Sequence, residues 1–425
     1  MRRGAASLAL LAALGFARSA AAQGPRQLGI EDVARMALLG ADLDAARERA
    51  KGAEAQSKSL RARLLPSIHV GDEFQRWNDS FSPLPGFQVR DATTNSFSVS
   101  ARQPLLGLLR GTHEYDARTS QADAAAAGVR VSESAMRELV ELEYLRLFEA
   151  KARSDIARTS EQELAQEVSE TEARVKAGTL TNADLLRVKV AQANARQQGI
   201  VADADATVSR ATLLTAIGRS PDDSTTEFLP PTALLAQANA PVATVADADA
   251  RRPEVRQATL RAEAAGQAEQ AHLYGLLPDV DLEAAYLRVD GQQFSPKNSG
   301  FVGIKADWAI WEWGASYAAK EAAAAEARAA ARDVVGVKRR VLNEVAGRKA
   351  ELGAASSAIE LAKQTITSAE EAYRVTGAQV RAGAGTTTDL LNAESALSEA
   401  RLRLENARYA QAAARIRLQR ATGVR

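Results

Sequence analysis

The chain has 425 residues, 54 basic and 53 acidic side chains, a formal net charge of +1 and no cysteine. Without cysteine there is no disulfide framework, thiolate metal site or thiol nucleophile, and the balanced charge excludes the basic excess of a nucleic-acid binder. Hydrophobic residues make up 46% but aromatics only 5%; alanine supplies much of the rest, a composition suited to long, closely packed helices.

In chain order, Arg2 and Arg3 precede an apolar run from Ala5 to Phe16, and Ser19-Ala20-Ala21-Ala22 follows before Gln23. A charged start, a short apolar core and a small-residue end predict a secretory signal peptide over residues 1–22. The run is too short to span a bilayer, and the absence of cysteine leaves no lipid attachment point at the cleavage site. A helix is predicted over about residues 30–64. Leu64-Leu65-Pro66 ends it, and the pattern turns to period two. In a first strand, 67–77, Ile68, Val70 and Phe74 alternate with His69, Glu73 and Gln75; in a second, 96–104, Phe97, Val99 and Ala101 alternate with Ser96, Ser98, Ser100 and Arg102. No proline lies between Leu105 and Ser220, so a long helix is predicted over about 112–176. Gly178 ends it in the left-handed conformation that glycine adopts at little cost. Thr181 or Asn182 caps a returning helix to about residue 217, with Asp184 near its positive end.

Residues 219–252 read as a linker, with Asp222, Asp223 and Glu227 on a Pro-flanked solvated loop. A helix over 253–276 ends at Leu276-Leu277-Pro278. Strands over 279–289 and 300–311 follow, with Val280, Leu282, Ala284 and Tyr286, then Val302, Ile304, Ala306 and Trp308, on one face. A second proline-free block predicts a long helix over 317–381, a stop at Gly383, a cap at Thr387 or Thr388, and a helix over 387–422 opening with Asp389. In that last helix Leu390, Leu397 and Leu404 fall seven apart with Ala393, Ala400 and Ala407 three residues after each. This is coiled-coil core spacing that permits close helix approach and calls for neighbouring helices.

The two halves are copies. Arg174-Val-Lys-Ala-Gly178-Thr-Leu-Thr-Asn-Ala-Asp184-Leu-Leu aligns without a gap to Gln379-Val-Arg-Ala-Gly383-Ala-Gly-Thr-Thr-Thr-Asp389-Leu-Leu, 205 positions on. The first repeat is residues 23–218 and the second 253–425, each with helix, two strands, long helix, turn and shorter helix. Alternating strands of this length suit a membrane barrel with a wet interior, with Trp77, Phe81, Phe87, Trp311 and Trp313 near strand ends as an interfacial girdle. Four strands are too few for a barrel and an open edge in lipid is excluded, so the strands must combine across subunits, three chains giving twelve. A soluble four-stranded sandwich stands beside that reading.

Catalytic and metal chemistry find no seat. His69, His113 and His272 lack ligand spacing, and Gly383-Ala-Gly385-Thr-Thr-Thr lacks both the Gly-Lys-Ser/Thr ending and the preceding strand of a phosphate loop. No G-x-S-x-G elbow is present. The expectation is no enzyme, no cofactor, no metal and no nucleic acid. Arg251-Arg252 and Lys338-Arg339-Arg340 read as helix-surface runs.

In the duplicated unit, the Leu-Leu-Pro strand starts, the Gln103-Pro104-Leu105 strand end and the paired Gly-x-x-x-x-x-Asp-Leu-Leu turns, the chain resembles the TolC-like outer membrane efflux protein family. The resemblance implies a mainly α fold with a transmembrane β portion: a homotrimer whose twelve-stranded barrel continues as an antiparallel α-helical barrel through the periplasm. It also implies a periplasmic adaptor and an inner-membrane pump as partners, besides outer membrane lipid. On it, Val175, Gly178, Thr179, Leu180, Val380, Gly383, Ala384 and Gly385 form an adaptor-contacting tip, and Asp184 and Asp389 lie near a gate. Asn392 stands where some members carry a second carboxylate. Residues 219–252 would form an equatorial belt. Asp184 and Asp389 keep a plainer reading as first-turn acids, and the chain as a whole keeps the alternative of a periplasmic coiled-coil adaptor or scaffold.

Overall fold

The computed structural model describes residues 26–236 and 245–424. The predicted signal peptide, 1–22, and part of the predicted linker, 237–244, lie outside the described residues. The elements are β1 (Arg26–Leu28), α1 (Ile30–Ala37), α2 (Ala41–Arg63), β2 (Ser67–Arg76), β3 (Arg90–Pro104), α3 (Gly107–Lys176), α4 (Asn182–Ala216), β4 (Thr226–Phe228), α5 (Thr232–Ala236), α6 (Val245–Arg251), α7 (Pro253–Tyr274), β5 (Asp279–Gln292), β6 (Asn298–Asp307), α8 (Ala315–Arg381) and α9 (Thr387–Ala421).

Two helices dominate. α3 has 70 residues and α8 has 67, each roughly 100 Å at about 1.5 Å per residue. α2 and α4 both lie along α3, while α7 and α9 lie between α3 and α8. At the strand end the helices thus run in the order α2, α3, α7, α8, and at the far end α4, α3, α9, α8.

The predicted first helix, 30–64, is two helices. After α1 the chain tightens, with the Leu39 amide donating to the Met36 carbonyl at 3.0 Å and Gly40 to Ala37 at 3.1 Å. Gly40 then turns extended and starts α2. The break lets α1 bury Val33, Ala34 and Ala37 while α2 follows α3 in its own direction. Near this joint sits the main core, where Val33, Val140, Tyr144, Leu147, Leu213, Leu214 and Ile416 are packed together. The Tyr144 hydroxyl lies between the Leu28 and Leu229 carbonyls, so it is paired although buried. β1 and β4 pair in parallel beside it, Gln27 opposite Glu227. Before and on β4, Asp222 and Glu227 are exposed as the sequence predicts, but Asp223 is half-buried. Asp223 accepts from the Thr225 amide at 2.8 Å, the Thr226 hydroxyl at 2.8 Å and the Arg219 guanidinium at 2.9 Å. These bonds, the Thr225 and Thr226 hydroxyls foremost, hold its carboxyl well below the usual range.

The other sheet is antiparallel in the order β2-β3-β5-β6. Ile68 pairs with Ala101, Ala101 with Ala284 and Ala284 with Val302; the next rung is Val70, Val99 and Tyr286. Residues paired across a sheet share a face, so the apolar positions of all four strands form one continuous face, and that face is exposed: Ile68, Val302 and Ile304 are each at least 70% accessible. On the other face Arg102 pairs with Asp281. β2 and β6 are edge strands, each with one partner in the sheet. β3 begins at Arg90, earlier than the predicted 96, because Thr93 and Thr94 find partners in Arg76 and Gln75 although their sequence does not alternate. β5 likewise extends to Gln292 rather than 289, opposite Arg90. β6 stops at Asp307 rather than 311, since its partner strand begins at Asp279 directly opposite and leaves nothing for Trp308 to pair with. Trp311 and Trp313 form an exposed pair at the helix end of the sheet, with ring centroids 5.7 Å apart. At the other end Phe87 stacks on Phe294 at 4.9 Å and the Arg90 guanidinium lies 3.7 Å over the Trp77 ring.

Candidate functional site at the helix tips

The two turns that join the long helices to their returning partners are built alike. In the first, Gly178 has φ +76° and in the second Gly383 has φ +77°, a conformation that disfavours a Cβ. Around each, two backbone bonds close the end of the long helix: Thr179 N–H to Arg174 C=O at 2.9 Å with Gly178 to Val175 at 3.0 Å, and Ala384 to Gln379 at 2.8 Å with Gly383 to Val380 at 3.2 Å. This pairing satisfies carbonyls that the helix end would otherwise leave open. Val380 is buried, and a Cβ on Gly385 would come within 3.1 Å of its side chain. Leu180 stands in the equivalent place in the first turn. The Arg174 guanidinium donates to the Val380 carbonyl at 3.2 Å, so the two turns lie side by side within one chain.

The following helices start with reciprocal caps. The Asp184 amide donates to the Thr181 hydroxyl at 3.3 Å, and the Thr181 amide to the Asp184 carboxylate at 3.1 Å. The same pair joins Thr386 and Asp389 at 3.1 and 3.0 Å. The caps are therefore Thr181, one of the two predicted, and Thr386 rather than the predicted Thr387 or Thr388; Thr387 is buried instead. The threonine hydroxyls and then their amides hold both carboxyls below the ordinary aspartate range. Asp184 also accepts from Arg187 at 2.9 Å. The position equivalent to Arg187 in the second repeat is Asn392, which is exposed, and among the described residues no cation pairs with Asp389. No hydrogen bond or ion pair joins Asp184, Asp389 and Asn392 to one another among the described residues.

A polar cluster further along, buried at Ser160 and Glu394, is not visible in the sequence. Glu394 on α9 is 7% accessible and accepts from the Ser160 hydroxyl of α3. Arg401 donates to Glu163 at 3.1 Å on the same pair of helices, and Arg153 to Asn406 at 3.3 Å. Burial pushes the Glu394 carboxyl up, against the lowering bond from Ser160, with Glu163 adding to the rise and Arg401 opposing it. Glu394 sits next to the Leu390–Leu397 stripe, where a two-helix reading leaves it in water; α3 is the third helix that covers it. Among the described residues no group of His, Cys, Asp or Glu has the arrangement of a metal site, and no helix is long and apolar enough to cross a membrane.

Known proteins share this architecture. The family model described as outer membrane efflux protein matches residues 37–219 and 244–424. Outer membrane efflux protein BepC of Brucella suis biovar 1 (strain 1330) is 24% identical over 353 residues, 82% of this chain and 75% of that protein. The outer membrane protein VceC of Vibrio cholerae superposes with a TM-score of 0.82 at 18% identity, over 93% of this chain and 96% of that one. The open state of the Neisseria gonorrhoeae MtrE outer membrane channel gives 0.78 at 19% identity, over 94% and 89%.

Proposed function

Because the chain belongs to the outer membrane efflux protein family, we propose that three copies close one continuous duct, with β2 of each copy pairing with β6 of the next and α4 and α2 packing against the next copy's α8. The protein is an outer membrane efflux channel of a Gram-negative bacterium that extends into the periplasm; the family match over both halves of the chain gives no support to the adaptor or scaffold alternative. The observation that carries the trimer is the sheet, four strands with an exposed apolar face and two unpaired edges. An open edge is not tolerated in lipid, and four strands are too few to close a barrel alone. Twelve, from three chains, are enough.

The two repeats, 23–218 and 253–425, then supply alternate hairpins of the helical tube, and part of 219–252 joins α1 in a belt at its middle. Val175, Gly178, Thr179 and Leu180 with Val380, Gly383, Ala384 and Gly385 form the periplasmic rim that meets an adaptor protein, which links it to an inner-membrane pump. Asp184, Asp389 and Asn392 lie at the constriction inside that rim. The duct is passive: the chain has no phosphate loop, and the pump supplies the driving force. Purification from the outer membrane fraction in detergent, followed by light scattering, tests the assembly. A trimer is expected, and recovery as a soluble monomer overturns it. In a planar bilayer, Asp389→Ala is expected to raise single-channel conductance. Unchanged conductance and selectivity would reduce Asp389 to its cap.

A further inference from the structure

The repeat makes the inside of one chain a template for the contact between chains. α3 touches α9 within a chain through named pairs: Ser160 with Glu394, Glu163 with Arg401, and Arg153 with Asn406. Each of these helices has a counterpart 205 positions away, as Gly178 and Gly383 show, because α3 and α8 end at Lys176 and Arg381 and α4 and α9 end at Ala216 and Ala421. We propose that α8 of one copy meets α4 of a second copy in the register in which α3 meets α9, so that each within-chain pair predicts a between-chain pair. This rests on the trimer reading above and adds its register.

The predicted pairs are Thr365 with Lys189 of the second copy, Ser368 with Arg196, and Ala358 with Val201. Two features of the free chain support a second copy as the occupant. Apolar side chains lie uncovered where the template places the contact: Leu361 on α8 at 65% accessible, and Ile200 and Val201 on α4 at 62% and 54%. The cations of that face are also already served by their own hairpin, Lys189 by Glu172 at 2.8 Å and Arg196 by Glu161 at 3.9 Å, so neutral Thr365 and Ser368 can face them without leaving a charge unmatched. At the rim the same rule puts Gln379 where Arg174 reaches Val380 within a chain. The seam inside each chain thus holds the Glu163–Arg401 ion pair, whereas none of the three pairs predicted between copies joins opposite charges.

The chain has no cysteine, so thiol pairs can be placed without background. In the full-length protein purified as a trimer, Lys189→Cys with Thr365→Cys is treated with a short bifunctional maleimide and run on a denaturing gel. The control is Ile200→Cys with Thr365→Cys, shifted by 11 residues, roughly 16 Å along the helix. Covalent dimers and trimers from the first pair, at several-fold higher yield than from the control, are expected. Equal yields, a stronger control, or no cross-link from either pair in a protein that light scattering shows to be trimeric overturns the register. A wild-type chain that is not trimeric overturns the assembly itself, which is a different failure.

Discussion

The two tip turns share a backbone and differ in charge. Both end a long helix on a left-handed glycine and begin the next on a Thr–Asp reciprocal cap. One turn further in they part, since Arg187 neutralises Asp184 while Asn392 leaves Asp389 without a cation among the described residues. Shape is thus kept between the repeats where the chain must reverse, and the electrostatics differ one turn further in, at the positions proposed above to line the constriction.

The sharpest way to break the first half of that comparison is at the glycines. Gly178→Ala and Gly383→Ala should each cost about 1–2 kcal/mol, the penalty of a Cβ in the left-handed region, and by equal amounts. Unequal losses in chemical denaturation would show that the turns are not equivalent. Next come the caps. Thr181→Ala and Thr386→Ala should each destabilise by about 1 kcal/mol, visible in the same measurement. The second half is tested by reversal potentials across a planar bilayer. Asp389→Asn should reduce cation preference more than Asp184→Asn, and Asn392→Arg should reproduce most of the Asp389→Asn effect while leaving the cap intact; equal effects of the two aspartates would erase the distinction. The smallest effect is with pH. Both carboxyls are lowered in the folded chain, so the caps contribute in full above the ordinary aspartate value of about 3.9 and are lost as pH falls through the lowered values. Cation preference should therefore be flat from neutrality down to about pH 5; a loss near pH 6 would implicate another group.

Local chemistry was readable where one or two residues dictate the backbone. Gly178, Gly383, Asp184 and Asp389 announce the turns, and period-two runs announce the four strands. Features that depend on a third partner were not. β1 and β4 are three residues each, too short for any period, and exist because they pair with each other. Glu394 is buried only because α3 crosses a stripe that looks like a two-helix seam. Asp223 looks like a solvated loop acid until Arg219 and two threonines close on it. The break at Leu38–Gly40 carries no proline and follows from α1 docking against α3. Thr386 is not singled out by sequence, because three threonines in a row offer the same cap chemistry and only the backbone selects among them.

The exposed sheet face has a consequence for how such a chain comes into being. A monomer with an uncovered apolar face and two unpaired strand edges is a template for indiscriminate pairing, so its lifetime in water before assembly must be short or guarded. The helices carry less of this burden, because Val140, Leu147, Leu213 and Ile416 find their partners within one chain, although Leu361, Ile200 and Val201 stay uncovered. On the trimer proposed above, maturation is expected to be ordered in time, with the helical half folding first and the strands committing last, when the lipid and the other copies are all within reach.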